Sequence, residues 1–137
     1  METRRDTLAL MSAAFLVGAT PAAAKTETWI KEAGDATHRE TPFGEVRLYH
    51  KGETDQSKLL ETLQVRVNPG FSPHPPHQHP EEEILLVIEG EAEWVVDGKK
   101  TRSSAGSMLY AAPGSLHSFK NVGDGALVVH VFKWGPT

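Results

Sequence analysis

The stretch Leu59 to Val67 does most to limit what this chain can fold into. Leu59, Glu61, Leu63, Val65 and Val67 fall on one side of an extended chain, with Thr62, Gln64 and Arg66 on the other. That alternation is the period of a half-buried strand. No segment after the leader sustains a helical period. Glu45 to Lys51 also alternates, and Asn68-Pro69-Gly70 ends the strand that began at Leu59. Further on, an apolar run covers Ile84 to Ile88. Gly90 separates it from a strand over Glu91 to Val96. Asp97-Gly98, a hairpin dipeptide, leads into Lys99 to Ser103. Short strands are expected from Gly106 to Ala111 and from Ala126 to Lys133, with turns at Pro113-Gly114 and Gly123-Asp124-Gly125. Seven or eight short strands with regular turns predict an all-β fold, a sandwich or a barrel.

Composition narrows the class. The 137 residues suit one domain with one core. A charged fraction of 23% is that of an ordinary soluble globule. Net charge is -4 with no Lys/Arg cluster in the body of the chain, which argues against nucleic acid as a partner. With no Cys, disulfides, thiolate metal sites and Cys nucleophiles are excluded.

Residues 1–24 carry the features of a cleavable leader. Arg4 and Arg5 open it, and the apolar stretch Leu8 to Ala19 is too short for a bilayer, which needs roughly 20 helical residues. Ala22-Ala23-Ala24 supplies small residues for cleavage. The alternative is an amphipathic N-terminal helix. Thr3-Arg4-Arg5-Asp6-Thr7-Leu8-Ala9 resembles a twin-arginine export signal, matching at the arginines and Leu8 and departing at Thr7 and Ala9. An ordinary secretory signal also carries paired arginines. Either route predicts export to the periplasm, with no membrane partner for the mature form. The twin-arginine route would carry a folded protein already loaded with metal. Residues 25–44 are polar and lack a period; they are expected to form an N-terminal arm or loop on a domain spanning 45–137.

The chemistry concentrates in His77-Gln78-His79-Pro80-Glu81-Glu82-Glu83. In extended chain, residues two apart face the same way, so His77, His79 and Glu83 can converge on one point. His117 follows Pro113-Gly114, where a tight turn can aim it inward. Imidazoles and a carboxylate suit a first-row divalent metal. Four ligands leave one or two positions open on an octahedral ion, the condition for catalysis. A lone histidine between strands is usually a satisfied surface or core residue. Here, however, His74, His77 and His79, three of the seven histidines, fall within six positions.

The segment from Gly70 to Asn121 resembles the two conserved motifs of the cupin superfamily. The first motif reads Gly-x5-His-x-His-x3,4-Glu-x6-Gly. It finds Gly70, His77, His79, Glu83 and Gly90, with one extra residue after Gly70. The second reads Gly-x5-Pro-x-Gly-x2-His-x3-Asn. It finds Gly106, Gly114, His117 and Asn121, with the proline displaced to Pro113. The resemblance implies a single double-stranded β-helix, or jelly-roll, barrel. It also implies His77, His79, Glu83 and His117 as ligands of one divalent metal ion, with Fe, Mn, Zn, Ni and Cu all open. The glycines and Asn121 would be structural. Glu82 competes with Glu83, but only Glu83 keeps the six-residue spacing to Gly90.

Further residues have two readings. His74 is either a proton shuttle at the barrel mouth or an exposed loop residue. Tyr110 and His130 face the cavity or sit in core or surface positions, the latter being the default. Trp94 and Phe119 are expected to serve packing. The family's fold hosts oxygenases, decarboxylases, isomerases, lyases and hydrolases, so fold does not choose the reaction. The leading expectation is a metal-dependent, dioxygenase-like enzyme for a small organic molecule. The alternatives are a non-catalytic protein that binds metal or a small ligand, and a non-redox lyase or isomerase. By resemblance a homodimer is expected.

Overall fold

The computed structural model describes residues 26–136, so the leader expected over residues 1–24 lies outside the described residues. Nine strands follow a single turn of 3₁₀ helix at Ala33–Asp35. They are β1 (Thr37–Thr41), β2 (Gly44–Gly52), β3 (Leu59–Val67), β4 (Glu82–Glu89), β5 (Glu91–Val96), β6 (Lys99–Ser104), β7 (Met108–Ala111), β8 (His117–Asn121) and β9 (Leu127–Gly135). Two antiparallel sheets result, one ordered β1-β2-β3-β9-β4-β7 and the other β6-β5-β8. This is the all-β barrel of jelly-roll type expected from the pattern. Among the described residues no helix is long and apolar enough to cross a membrane.

Two strands are not foreseen by periodicity. The stretch expected as an irregular arm contains β1, which pairs with β2 in the register Arg39↔Val46. Most of its residues are exposed, so no apolar alternation marks it. The segment from His117 forms β8, four of whose five residues are buried, because β5 pairs with one of its edges and the connection through residues 70–77 bonds the other.

The core follows from the alternation. Val65 and Val67 of β3, Leu85 and Val87 of β4, and Leu127, Val129 and Val131 of β9 point inward and meet Ala92, Trp94 and Phe119 of the smaller sheet. Burying each Val or Leu contributes roughly 1.5–3 kcal/mol. Trp94 and Phe119 contact each other with ring centroids 5.9 Å apart. The Asp97-Gly98 turn joins β5 to β6 with φ of 48° and 82°, the left-handed pair that a two-residue hairpin requires. Between β4 and β5, Gly90 has φ 86°, and a Cβ there would lie 2.4 Å from the Ala126 carbonyl oxygen. Only glycine fits this corner.

Register also fixes where polarity goes. Inward-facing Val46, Val65, Val129 and Val87 form one cross-strand row, and Leu63, Val131, Leu85 and Leu109 form the next. The row beyond them reads Lys51, Glu61, Lys133, Glu83, Ala111 across β2, β3, β9, β4 and β7. One end of the barrel is therefore apolar and the other carries charge. The site lies at the charged end.

Candidate metal centre

Each of the four motif residues is placed by a different local device. Glu83 is the second residue of β4; its inward direction follows from the alternation that also buries Leu85 and Val87. His117 opens β8 and is 2% exposed. His77 sits in the proline-rich connection between β3 and β4. The His77 N–H donates to the His117 carbonyl at 3.0 Å, and the His117 N–H donates back to the His77 carbonyl at 2.9 Å. His79 is held by its carbonyl, which accepts from the Gly114 N–H at 2.8 Å. The two motifs are thus tied through the backbone.

The side chains converge. One donor atom from each of His77, His79, Glu83 and His117 lies within 4.8 Å of the others. Glu83 Oε2 is 2.9 Å from His79 Nε2 and 2.8 Å from His117 Nε2. The far nitrogens are fixed by carbonyls: His79 Nδ1 lies 3.1 Å from the Glu81 oxygen and His117 Nδ1 lies 3.0 Å from the Ser115 oxygen. A proton on each Nδ1 leaves Nε2 with a lone pair facing the centre, the arrangement a ligating histidine uses. His77 Nε2 is buried with no hydrogen-bond partner. Such an atom costs free energy unless something occupies its lone pair. Burial, followed by the neighbouring His74 and His117, pushes the His77 imidazole down to about 4, so it is neutral at physiological pH. The donor set and the orphaned nitrogen fit one divalent ion.

Glu82, the competing carboxylate, faces the opposite side of β4. Tyr110 Oη donates to its Oε1 at 2.6 Å and Trp134 Nε1 donates to its Oε2 at 2.7 Å. The hydrogen bond to Glu82 pushes the Tyr110 phenol above its ordinary range. Tyr110 is exposed on the outer face of the sheet, away from the cavity. His130 is on that outer face too, its Nε2 2.9 Å from Gln64 Nε2, and burial lowers its pKa. His74 is half-buried and stacks on His77 with centroids 3.8 Å apart.

Above the four residues opens a cavity of about 230 Å³ whose wall includes His74, His77 and Glu83. Phe43, Leu63, Leu85, Phe119 and Val131 supply its apolar surface, so Phe119 serves both the core and the cavity wall. Arg39, Glu61 and Lys133 also line it. The sequence singled out none of these three. The signal was present at Glu61, a carboxylate on the buried face of an alternating strand. Lys133 Nζ lies 3.0 Å from Glu61 Oε2 and Lys51 Nζ lies 3.4 Å from Glu61 Oε1. Burial raises the Glu61 carboxyl, but the two lysines outweigh it and hold it below its ordinary range.

The family model for the cupin domain matches residues 63–133, a span that includes all four converging residues. Among solved structures, a Cupin 2 conserved barrel domain protein from Salinispora arenicola is 27% identical. It superposes with a TM-score of 0.62 over 80% of this chain and 90% of its own. A predicted oxalate decarboxylase from Thermotoga maritima is 21% identical, with a TM-score of 0.60 over 77% of this chain and 98% of its own. A sugar phosphate isomerase from Silicibacter pomeroyi is 16% identical, with a TM-score of 0.62 over 75% of this chain and 73% of its own. The last two share the fold with this chain and carry names of different reactions. No curated protein matches. Both motifs and the strands that carry them lie inside the matched span, and the chain belongs to the cupin family.

Proposed function

We propose that this protein is an exported, metal-dependent cupin enzyme that acts on a small organic molecule by dioxygenase-like chemistry. The observation that carries the reading is His77 Nε2, buried and unpartnered beside three other donors in the wall of a largely apolar cavity. When bound, a divalent ion supplies Lewis acidity and, if redox-active, electron transfer to O2. His77, His79, Glu83 and His117 would hold that ion. The Glu81 and Ser115 carbonyls orient two of the imidazoles. The apolar wall excludes bulk water from the reacting molecule. His74, which stacks on His77 and lines the cavity, would relay a proton in this reading.

The test is turnover and oxygen uptake together. Fe(II)-loaded protein offered phenolic and diketone compounds should consume O2 in step with substrate, and Zn-loaded protein should do neither. Turnover by both forms without O2 uptake identifies lyase or isomerase chemistry instead. Stoichiometric binding without turnover identifies a binding protein.

Export rests on Arg4-Arg5, the apolar stretch and Ala22-Ala23-Ala24. The exported chain should begin at Lys25 by intact mass, and Arg4-Arg5→Lys-Lys should block export by the twin-arginine route. We also propose a homodimer through the outer face of the larger sheet. There Phe132, Ile84 and Tyr110 align in one row, with Leu86 and Met108 in the next. Tyr110 at 51% and Met108 at 60% exposure leave apolar surface that a second copy would cover. Sedimentation of Met108→Lys should give monomer where the parent gives dimer.

A further inference from the structure

We infer that the cavity takes a small carboxylate with an apolar body, and that Lys133 and Arg39 receive its carboxylate group. The inference rests on the metal reading above, because the ion's charge enters the balance.

The first observation is the position of Lys133. On β9 it pairs in register with Glu61 on one side and with Glu83 on the other, so it stands between the two inward carboxylates. Glu61 is only 8% exposed and has two ammonium neighbours, Lys133 and Lys51. One carboxylate cannot balance two cations. Lys133 Nζ lies 3.0 Å from Glu61 Oε2. An ammonium carries three donors, so this contact leaves others for a ligand.

The second observation is Arg39. Its side chain lines the same cavity and makes no ion pair or hydrogen bond among the described residues. β1 carries it to the rim through the pairing Arg39↔Val46, and Val46 itself lines the cavity. A guanidinium presents a rigid fork that matches a carboxylate, whereas an ammonium acts as a point charge.

Charge and shape then select the ligand. Without metal the lining cations Arg39 and Lys133 match the lining anions Glu61 and Glu83. A divalent ion at Glu83 tips the balance positive, and Lys51 behind Glu61 adds to it. A partly desolvated site with surplus positive charge favours an anion. Phe43, Leu63, Leu85 and Phe119 give that anion an apolar body to bury. The volume of about 230 Å³ lies below the roughly 300–1,000 Å³ of sites for drug-sized ligands. A single anionic head on a ring or short chain fits both limits.

The experiment uses Zn-loaded protein, so that binding is read without oxidation. Zn content is measured in the same sample, and calorimetry follows titration with benzoate, benzamide and phenyl phosphate. Benzoate should bind at least about tenfold more tightly than benzamide, the effect of one charge-assisted contact. Arg39→Gln should cut that ratio several-fold, and Lys133→Met combined with Glu61→Gln should cut it again. The double variant exchanges the ion pair for neutral side chains of similar length, so no buried charge is stranded and the wall keeps its packing. Benzamide affinity should fall by a smaller factor than benzoate affinity in both variants. With one Zn per chain, equal binding of benzoate and benzamide overturns the inference alone and leaves the metal reading standing. So does a ratio that neither variant alters, and tighter binding of phenyl phosphate refutes the carboxylate. Failure to take up Zn overturns the metal reading, and this inference falls with it.

Discussion

His77 and His117, 40 residues apart in sequence, exchange both of their backbone hydrogen bonds at 3.0 and 2.9 Å. The bridge joins the connection after β3 to the start of β8, and so holds two imidazoles 4.9 Å apart by their ring centroids. Because the tie is made by backbone, replacing either side chain leaves it in place.

His77→Ala and His117→Ala should therefore keep the β-rich circular dichroism spectrum while losing stoichiometric metal. Elemental analysis after dialysis should give well under one ion per chain in each variant. Full retention in both would show that the ion binds elsewhere.

Glu82 and Glu83 are adjacent and chemically alike, but the pleat of β4 sends them to opposite faces. Glu83 meets two histidines; Glu82 accepts from Tyr110 and Trp134. Glu83→Gln removes the one charged donor and should weaken metal binding by roughly 10- to 100-fold, the range of one charged contact. Glu82→Gln keeps an acceptor oxygen on the outer face and should leave affinity within a factor of about two. A competition titration against a chelator ranks the two variants, and the reverse order would refute the assignment.

The six-residue spacing to Gly90 in the cupin motif makes Glu83 legible through the resemblance. Strand period alone would not do so, because β4 carries a register shift between Val87 and Glu89. Strand content is legible wherever one face is apolar, as in β3. It fails for β1, where Thr37 to Glu40 are all exposed, and for β8, where consecutive residues are buried. The charged row is a harder case. Glu61 and Lys133 become neighbours only because β3 pairs with β9, 72 residues further on. No local pattern carries that pairing. Arg39 is hidden for the same reason, as its place at the rim depends on the β1–β2 register.

Asn121 tests the structural half of the second motif. Fully buried, it donates to the carbonyls of Val67 and Gly125, both at 2.8 Å, and accepts from the Gly123 N–H at 2.9 Å. It thereby ties the end of β3 to the turn before β9. Asn121→Ala would leave those buried backbone groups unpaired, at a cost of about 3 kcal/mol. For a domain this size, the melting temperature should fall by roughly 10 °C or more. Metal content per folded chain should be unchanged, since Asn121 donates nothing to the centre. A shift of less than a few degrees would show that the turn holds without it.

The pair Glu61–Lys133 gives the fold a pH dependence whose sign follows from its geometry. Burial alone would raise the Glu61 carboxyl, but Lys133 and Lys51 overcome that and hold it below its ordinary value of 4.5. On acidification the unfolded chain takes up this proton first, so it binds more protons than the native state does. The stability from the pair is present above the unfolded value and is lost as pH falls through the native one. Glu61→Gln cannot titrate and also strands Lys133 in the wall, so it should be less stable than the parent at neutral pH. Urea midpoints measured on metal-free protein from roughly pH 7 to pH 3 should show the two converging toward the acid end. Other carboxylates titrate in the same window but are common to both proteins, so the difference between the curves isolates Glu61. A gap that stays constant with pH would mean that the native protein draws no stability from the charge on Glu61.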